Sequence, residues 1–140
     1  MASAQSTRTV SMIAGQDLRG DVYEILQIED DSGVGKVIKT TAVANTVIGI
    51  LAEDPDGAAS TDGETVPVTM LHGIVKVKSG GTVVAGALVV PDSTPGRVVT
   101  VANAGALAVD SMAIGVALQT SVDGDIFEMF AMPIAAPHSA

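Results

Sequence analysis

Short aliphatic runs alternate with clusters of Gly, Asp, Ser and Pro along nearly the whole chain. VYEILQI (22–28) is the first clear run, DDSGVG (30–35) reads as a turn, and KVIKT (36–40) can pair back on it as a hairpin. TVIGILA (46–52) precedes a long polar loop, EDPDGAASTDGE (53–64), and VPVTML (66–71) and IVKVK (74–78) follow it. TVVAGALVV (82–90), the turn PDSTPG (91–96) and RVVTV (97–101) form a second hairpin pattern. AIGVALQT (113–120), the turn SVDGD (121–125) and IFEMFAM (126–132) close the pattern. About eight short strands with turn signals every ~8–12 residues predict an all-β fold, a small β-barrel or a tulip-like sandwich. β-branched side chains are stiff and pack well on a pleated surface, so these Val-rich runs suit strands. At most one short helix is expected, over ANAGALAVDSMA (102–113), where Gly105 and Asp110 weaken it.

The alternation changes parity once. Val66, Val68 and Met70 share one strand face, whereas Val75 and Val77 share a face opposite Lys76 and Lys78. A one-residue slip moves side chains to the other face, so a bulge or corner is expected at His72-Gly73. There is also an internal echo. Residues 46–70 and 112–132 both run aliphatic-Ile-Gly-aliphatic, then an Asp-Gly turn, then a strand ending in Met. Two copies separated by unlike sequence suggest pseudo-symmetric hairpins in one domain rather than a solenoid. Three segments are expected: an extended N-terminal arm (1–17), a β-domain (18–132) and an extended C-terminal tail (133–140).

Composition narrows the function classes. Hydrophobic residues make up 47% of the chain, yet the only aromatics are Tyr23, Phe127 and Phe130. A core built from small aliphatics invites further burial between subunits. The formal net charge is −9, with seven basic residues and none beyond Arg97. That argues against nucleic acid as a partner, which needs clustered Lys and Arg, and against an anionic membrane surface. No apolar run approaches the ~18 residues of a membrane span, and no signal-peptide pattern is expected at the N-terminus. Without cysteine, disulfides and thiol chemistry are excluded.

Candidate reactive motifs fail on particular residues. SGVGKV (32–37) contains Gly35-Lys36, but Val37 stands where a phosphate-binding loop needs Ser or Thr, and Asp30 where it needs its first glycine. His72 sits at the proposed corner and His138 near the end of the chain; no G-x-S-x-G elbow positions a serine nucleophile. Asp54, Asp56, Asp62 and Glu64 share one loop, and Asp123 and Asp125 another. Asp54-Pro55-Asp56-Gly57 begins like a calcium loop and then departs from its spacing. No catalytic residue, cofactor or metal site is therefore expected. Few aromatics also argue against stacking platforms for carbohydrate or single strands.

The order of pieces carries a resemblance. GDVYEILQI, the IGIL segment (48–51), DGETVPVTMLHGIVKVKSGG (62–81), AGALVVPDSTPGRVVTV (85–101), IGVAL (114–118) and the closing IFEMF resemble the capsid decoration, or cement, proteins of tailed bacteriophages. The resemblance covers roughly residues 18–132. It implies a non-enzymatic β-barrel protein, commonly a homotrimer, on the outer surface of the mature capsid. There it would bind the major capsid protein and stabilise the head against internal DNA pressure. In several such proteins a terminal arm joins a capsid strand, which implies Thr9, Val10, Met12 and Ile13 as capsid-contact residues here. A structural subunit of a phage tail, fibre or baseplate is the alternative, and a β-rich ligand-binding module a more distant one.

Overall fold

The computed structural model describes residues 9–41, 46–53, 64–102, 107 and 112–135. These form ten strands: β1 (Thr9–Ile13), β2 (Ile25–Asp31), β3 (Val34–Lys39), β4 (Gly49–Leu51), β5 (Thr65–Met70), β6 (Gly73–Lys78), β7 (Leu88–Pro91), β8 (Val98–Val101), β9 (Met112–Ala117) and β10 (Ile126–Ala135). The expected all-β fold is what is found, with no helix among the described residues. Of the helix candidate at 102–113, residues 103–106 and 108–111 lie outside them, as does the acidic loop 54–63.

The strands make two five-stranded antiparallel sheets, ordered β1-β5-β4-β2-β3 and β6-β10-β9-β7-β8. The second order is the first with every strand moved on by five. Each sheet curls until its outermost strands meet. Ala14, just past β1, bridges in parallel to Val37 of β3, and the Gly15 N–H donates to the Val37 carbonyl at 2.8 Å. Ser79, just past β6, bridges in the same way to Val98 of β8, and the Gly80 N–H donates to the Val98 carbonyl at 2.8 Å. The chain is thus two small barrels of one topology in tandem.

The echo noted in the sequence, 46–70 against 112–132, is the last pair of strands of this repeat: β4–β5 against β9–β10. Gly49 pairs with Met70 as Gly115 pairs with Ala131. The register extends the correspondence to strands whose sequences show none. Val37 matches Val98, Leu26 matches Val89, Val10 matches Val75, and Ile13 matches Lys78. The parity change at His72-Gly73 marks the crossing from one sheet to the other, and Gly73 makes it at φ 70°.

Each barrel encloses its own cluster. Leu18, Leu26, Val37, Leu51, Val66 and Val68 fill the first. Val75, Val77, Val83, Val89, Val98, Ala117, Phe127 and Met129 fill the second, and Ile25 and Ile50 join it from the opposite face of the first sheet. The two cores divide volume differently at matching positions. Leu51, Val66 and Val68 in one correspond to Ala117, Phe127 and Met129 in the other. Where β9 gives up a side chain, β10 supplies a larger one, as close packing demands.

Several boundaries differ from the sequence reading. VYEILQI is not strand throughout: Asp21–Glu24 is a turn closed by the Glu24 N–H on the Asp21 carbonyl (3.0 Å), with Tyr23 at φ 68°. TVVAGALVV is split likewise, by a turn in which the Ala87 N–H donates to the Val84 carbonyl (3.1 Å) and Gly86 has φ 87°. These are matching turns, and a glycine relieves in the second barrel the left-handed backbone that Tyr23 carries in the first. The segment read as an N-terminal arm supplies β1. The segment read as a tail from Pro133 begins inside β10, which runs to Ala135. Proline gives no ladder N–H, and Pro133 falls where the β9–β10 register shifts, between Ala131 and Ile134.

Candidate functional site

The sequence-implied contact residues Thr9, Val10, Met12 and Ile13 all lie in β1, paired with Thr69, Val68, Val66 and Thr65 of β5. Val10 and Met12 pack against the first core, while Thr9 is exposed. Two of the four side chains are thus committed inside the chain's own barrel. The side of its backbone turned away from β5 meets β3 just past the strand, at Ala14–Val37, so what β1 offers a partner is the edge ahead of that bridge. The SGVGKV segment forms the β2–β3 turn, with Ser32 and Gly33 both at positive φ and the Gly33 N–H donating to Asp30 Oδ1 (2.9 Å). That is a tight hairpin connection and not a phosphate cradle.

The remaining candidates do not converge. His72 is exposed in the link between barrels, and His138 lies outside the described residues. Asp123 Oδ1 accepts from Arg97 Nη1 at 3.4 Å, and Asp125 Oδ2 accepts from the Val122 N–H at 3.4 Å. Among the described residues no three His, Asp or Glu side chains stand close enough to share a metal ion.

The most organised polar site lies at the joint between the barrels, and sequence reading did not single it out. Barrel one presents the start of β2 and the end of β3. Barrel two inserts the β7–β8 turn and the end of β6. The Ile25 N–H donates to the Gly96 carbonyl (2.8 Å), the Gly96 N–H to the Thr40 carbonyl (3.0 Å), and the Lys78 N–H to the Tyr23 carbonyl (2.9 Å). A side chain at Gly96 would collide with Glu24 and Lys39. Glu24 itself is only 3% exposed. Arg97 Nε stands 3.8 Å and Lys78 Nζ 4.0 Å from its Oε2. The one signal in the sequence was a lone acid inside an aliphatic run, VYEILQI.

Burial pushes the Glu24 carboxyl above its ordinary value, and Asp21 adds to the push; Lys39, Arg97 and Lys78 hold it back. A raised carboxyl is more easily protonated folded than unfolded. Its contribution is therefore fully present below the unfolded value of ~4.3 and is lost as pH rises through the folded one. Thermal melts of the wild type and Glu24→Gln across this range are expected to show the wild type losing ground to the variant as pH rises. A constant difference between the two would rule out this role for Glu24.

The outer faces carry exposed apolar side chains. Ile74 is 56% exposed beside Phe130 at 45%, and the row continues through Val116, Leu88 and Val101 across the second sheet. Leu107 covers part of the row at Leu88 and Val101.

The fold is a tandem pair of five-stranded antiparallel sheets, each curled until one parallel bridge joins its outermost strands. The chain matches no protein-family model and no curated protein sequence. Among solved structures it is similar to the N base of head fibre gp8.5 of bacteriophage phi29. The TM-score is 0.64 at 13% identity, over 94% of this chain and 99% of that one. At that identity the likeness establishes a common fold.

Proposed function

We propose that this chain is a structural, non-enzymatic protein attached to the head of a tailed bacteriophage, serving as the base of a fibre-like appendage on the outer surface of the capsid. The observation that carries the reading is the fold shared with a phage head-fibre base over nearly the whole length of both chains. Exposed apolar side chains on the outer faces fit it. The major capsid protein is the expected partner, with self-association into a homotrimer. Many modest contacts on a repetitive lattice would add up to firm attachment. Thr9, Val10, Met12 and Ile13 would contribute mainly through the β1 backbone edge, by strand addition.

The decoration, or cement, role is a second reading, favoured by the motif order over residues 18–132. One experiment addresses both. Purified protein is mixed with undecorated expanded capsids and with unexpanded precursors, and cosedimentation is measured. Stoichiometric binding to expanded capsids is expected; binding to neither form sinks the head-attachment reading. Capsid melting with the protein bound then separates the roles. A cement protein raises the temperature of shell disruption, and a fibre base leaves it unchanged.

A further inference from the structure

The repeat has an asymmetric consequence. Barrel one holds barrel two through a defined face: Tyr23, Glu24 and Ile25 at the start of β2, Lys39 and Thr40 at the end of β3, and Ile50 on β4. By register, the same face on barrel two is Gly86, Ala87, Leu88, Thr100, Val101 and Val116. No barrel of this chain sits on it. Leu107 packs on it at Leu88 and Val101; among the described residues the rest of the face opens as a groove of ≈ 410 Å³, lined by Val84 to Ala87 and Thr100 to Ala102.

The other half of the joint is also present and unused. Barrel two docks through the β7–β8 turn, with Gly96 at its centre, and through Lys78 at the end of β6. The matching parts of barrel one are the β2–β3 hairpin, with Gly35 at the position of Gly96, and Ile13 at the position of Lys78. Residues 28–35 of this hairpin are exposed throughout, Ile28 at 50% and Val34 at 45%.

The differences between the two faces are complementary. The used face has Tyr23, Glu24 and Lys39 where the open face has Gly86, Ala87 and Thr100. Smaller residues leave the groove, and the projecting hairpin is longer than the turn it would replace: eight residues (29–36) connect Ile28 to Val37, against six (92–97) connecting Pro91 to Val98. Charge follows the same logic. Arg97 of the docked turn meets Glu24. Its counterpart Lys36 already meets Asp31 of its own hairpin, at 2.6 Å, so a neutral groove leaves it no unmet acid. The open face is also the more apolar. Phe130 and Ile74 stand where barrel one has Thr69 and Thr9.

We infer that the Val84–Ala87/Thr100–Ala102 groove of one copy receives the β2–β3 hairpin of a second copy, repeating between chains the joint already made within one. The contact is heterologous, head to tail, and it specifies the surface used in the self-association proposed above.

The chain has no cysteine, so linkage can be read cleanly. Val34→Cys and Ala85→Cys are made separately, at exposed positions in the hairpin and the groove. Mild oxidation of the mixture is expected to give a covalent dimer, while neither variant alone does. A dimer from one variant alone would mean an isologous contact and overturn the inference; so would no dimer from the mixture. Val84→Glu, on a side chain 52% exposed, is expected to shift sedimentation from oligomer to monomer while the far-UV circular dichroism of the folded chain stays the same. An unchanged oligomer, or a wild type that is monomeric throughout, overturns it as well. Capsid cosedimentation run in parallel keeps the readings apart: binding without linkage removes this interface and leaves head attachment standing, and linkage without binding does the reverse.

Discussion

Truncation of Phe127 to alanine is expected to cost about 3–5 kcal/mol, measured by denaturant unfolding. Phe127 is the largest fully buried side chain, 1% exposed, in a chain with only three aromatics. It occupies the place of Val66 in the first barrel and compensates for Ala117, which takes the place of Leu51. The residue on the next strand is thus already small. Ala117 cannot reach into the vacated space, and the closed sheet resists collapse. A domain's whole stability is about 5–15 kcal/mol, so the melting temperature should fall by roughly 10–20 °C. Val66→Ala is the internal comparison and should cost clearly less, because fewer atoms are removed. Equal losses at the two sites would mean that the volume exchange between barrels does not govern stability.

The second large effect comes from adding a single methyl group. Gly115→Ala is expected to cost about 3 kcal/mol or more. The new Cβ would press on the Phe130 carbonyl oxygen, with Phe130 C and Met129 Sδ each only 3.1 Å away. β9 lies between β10 and β7, so neither it nor the carbonyl has room to withdraw. Gly49 meets the same obstacle in the first barrel, where a Cβ would lie 2.7 Å from the Thr69 carbonyl oxygen. Replacing strand glycine by alanine otherwise gains about 0.5–1 kcal/mol, so the sign itself tests the contact. Gly35→Ala serves as control, because its nearest neighbour would be Ile28 Cγ2 at an ordinary 3.4 Å. Urea denaturation of the three variants decides the matter; a neutral Gly115→Ala would show that β9 and β10 can separate locally.

These two glycines also show how much of the fold was legible in the sequence. Ile-Gly recurs at 48–49 and 114–115 because strand β4 or β9 must approach a neighbouring carbonyl closely, and only glycine permits it. That constraint survives in the sequence, so the echo was visible there and only there. In β1–β3 against β6–β8 the requirement is merely that an aliphatic residue face inward. Leu26 and Val89 satisfy it equally, and loops of different length hide the alignment. The parity change at His72-Gly73 was legible because it follows from strand geometry alone. Its meaning, a passage between two sheets, was not, since parity cannot say which strands pair.

The joint was less legible still. Glu24 looks like a solvated acid until Gly96, more than seventy residues later, is placed against it. The role of Gly96 depends on the same meeting. In PDSTPG it reads as a turn glycine, and it is one, at φ 78°. What sequence cannot convey is that the turn closes on another barrel. The groove is likewise defined by comparison between halves: Ala87 means little until it is seen to stand where Glu24 stands.

The separation of the two sheets along the chain has a consequence for how the protein is made. Every strand paired with β1 to β5 lies within residues 9–70. β1 nevertheless pairs with β5, the last strand of its own half, so neither barrel closes until its final strand exists. Such non-local pairing is slow and leaves unpaired edges exposed meanwhile. During synthesis the first barrel has its full set of partners before the second has left the ribosome. Two halves of one topology are at risk of exchanging strands, the characteristic failure of tandem repeats. Here the unequal cores act as a safeguard. A β10 carrying Phe127 and Met129 would overfill a barrel lined by Leu51, and a β5 carrying Val66 and Val68 would leave one lined by Ala117 half empty.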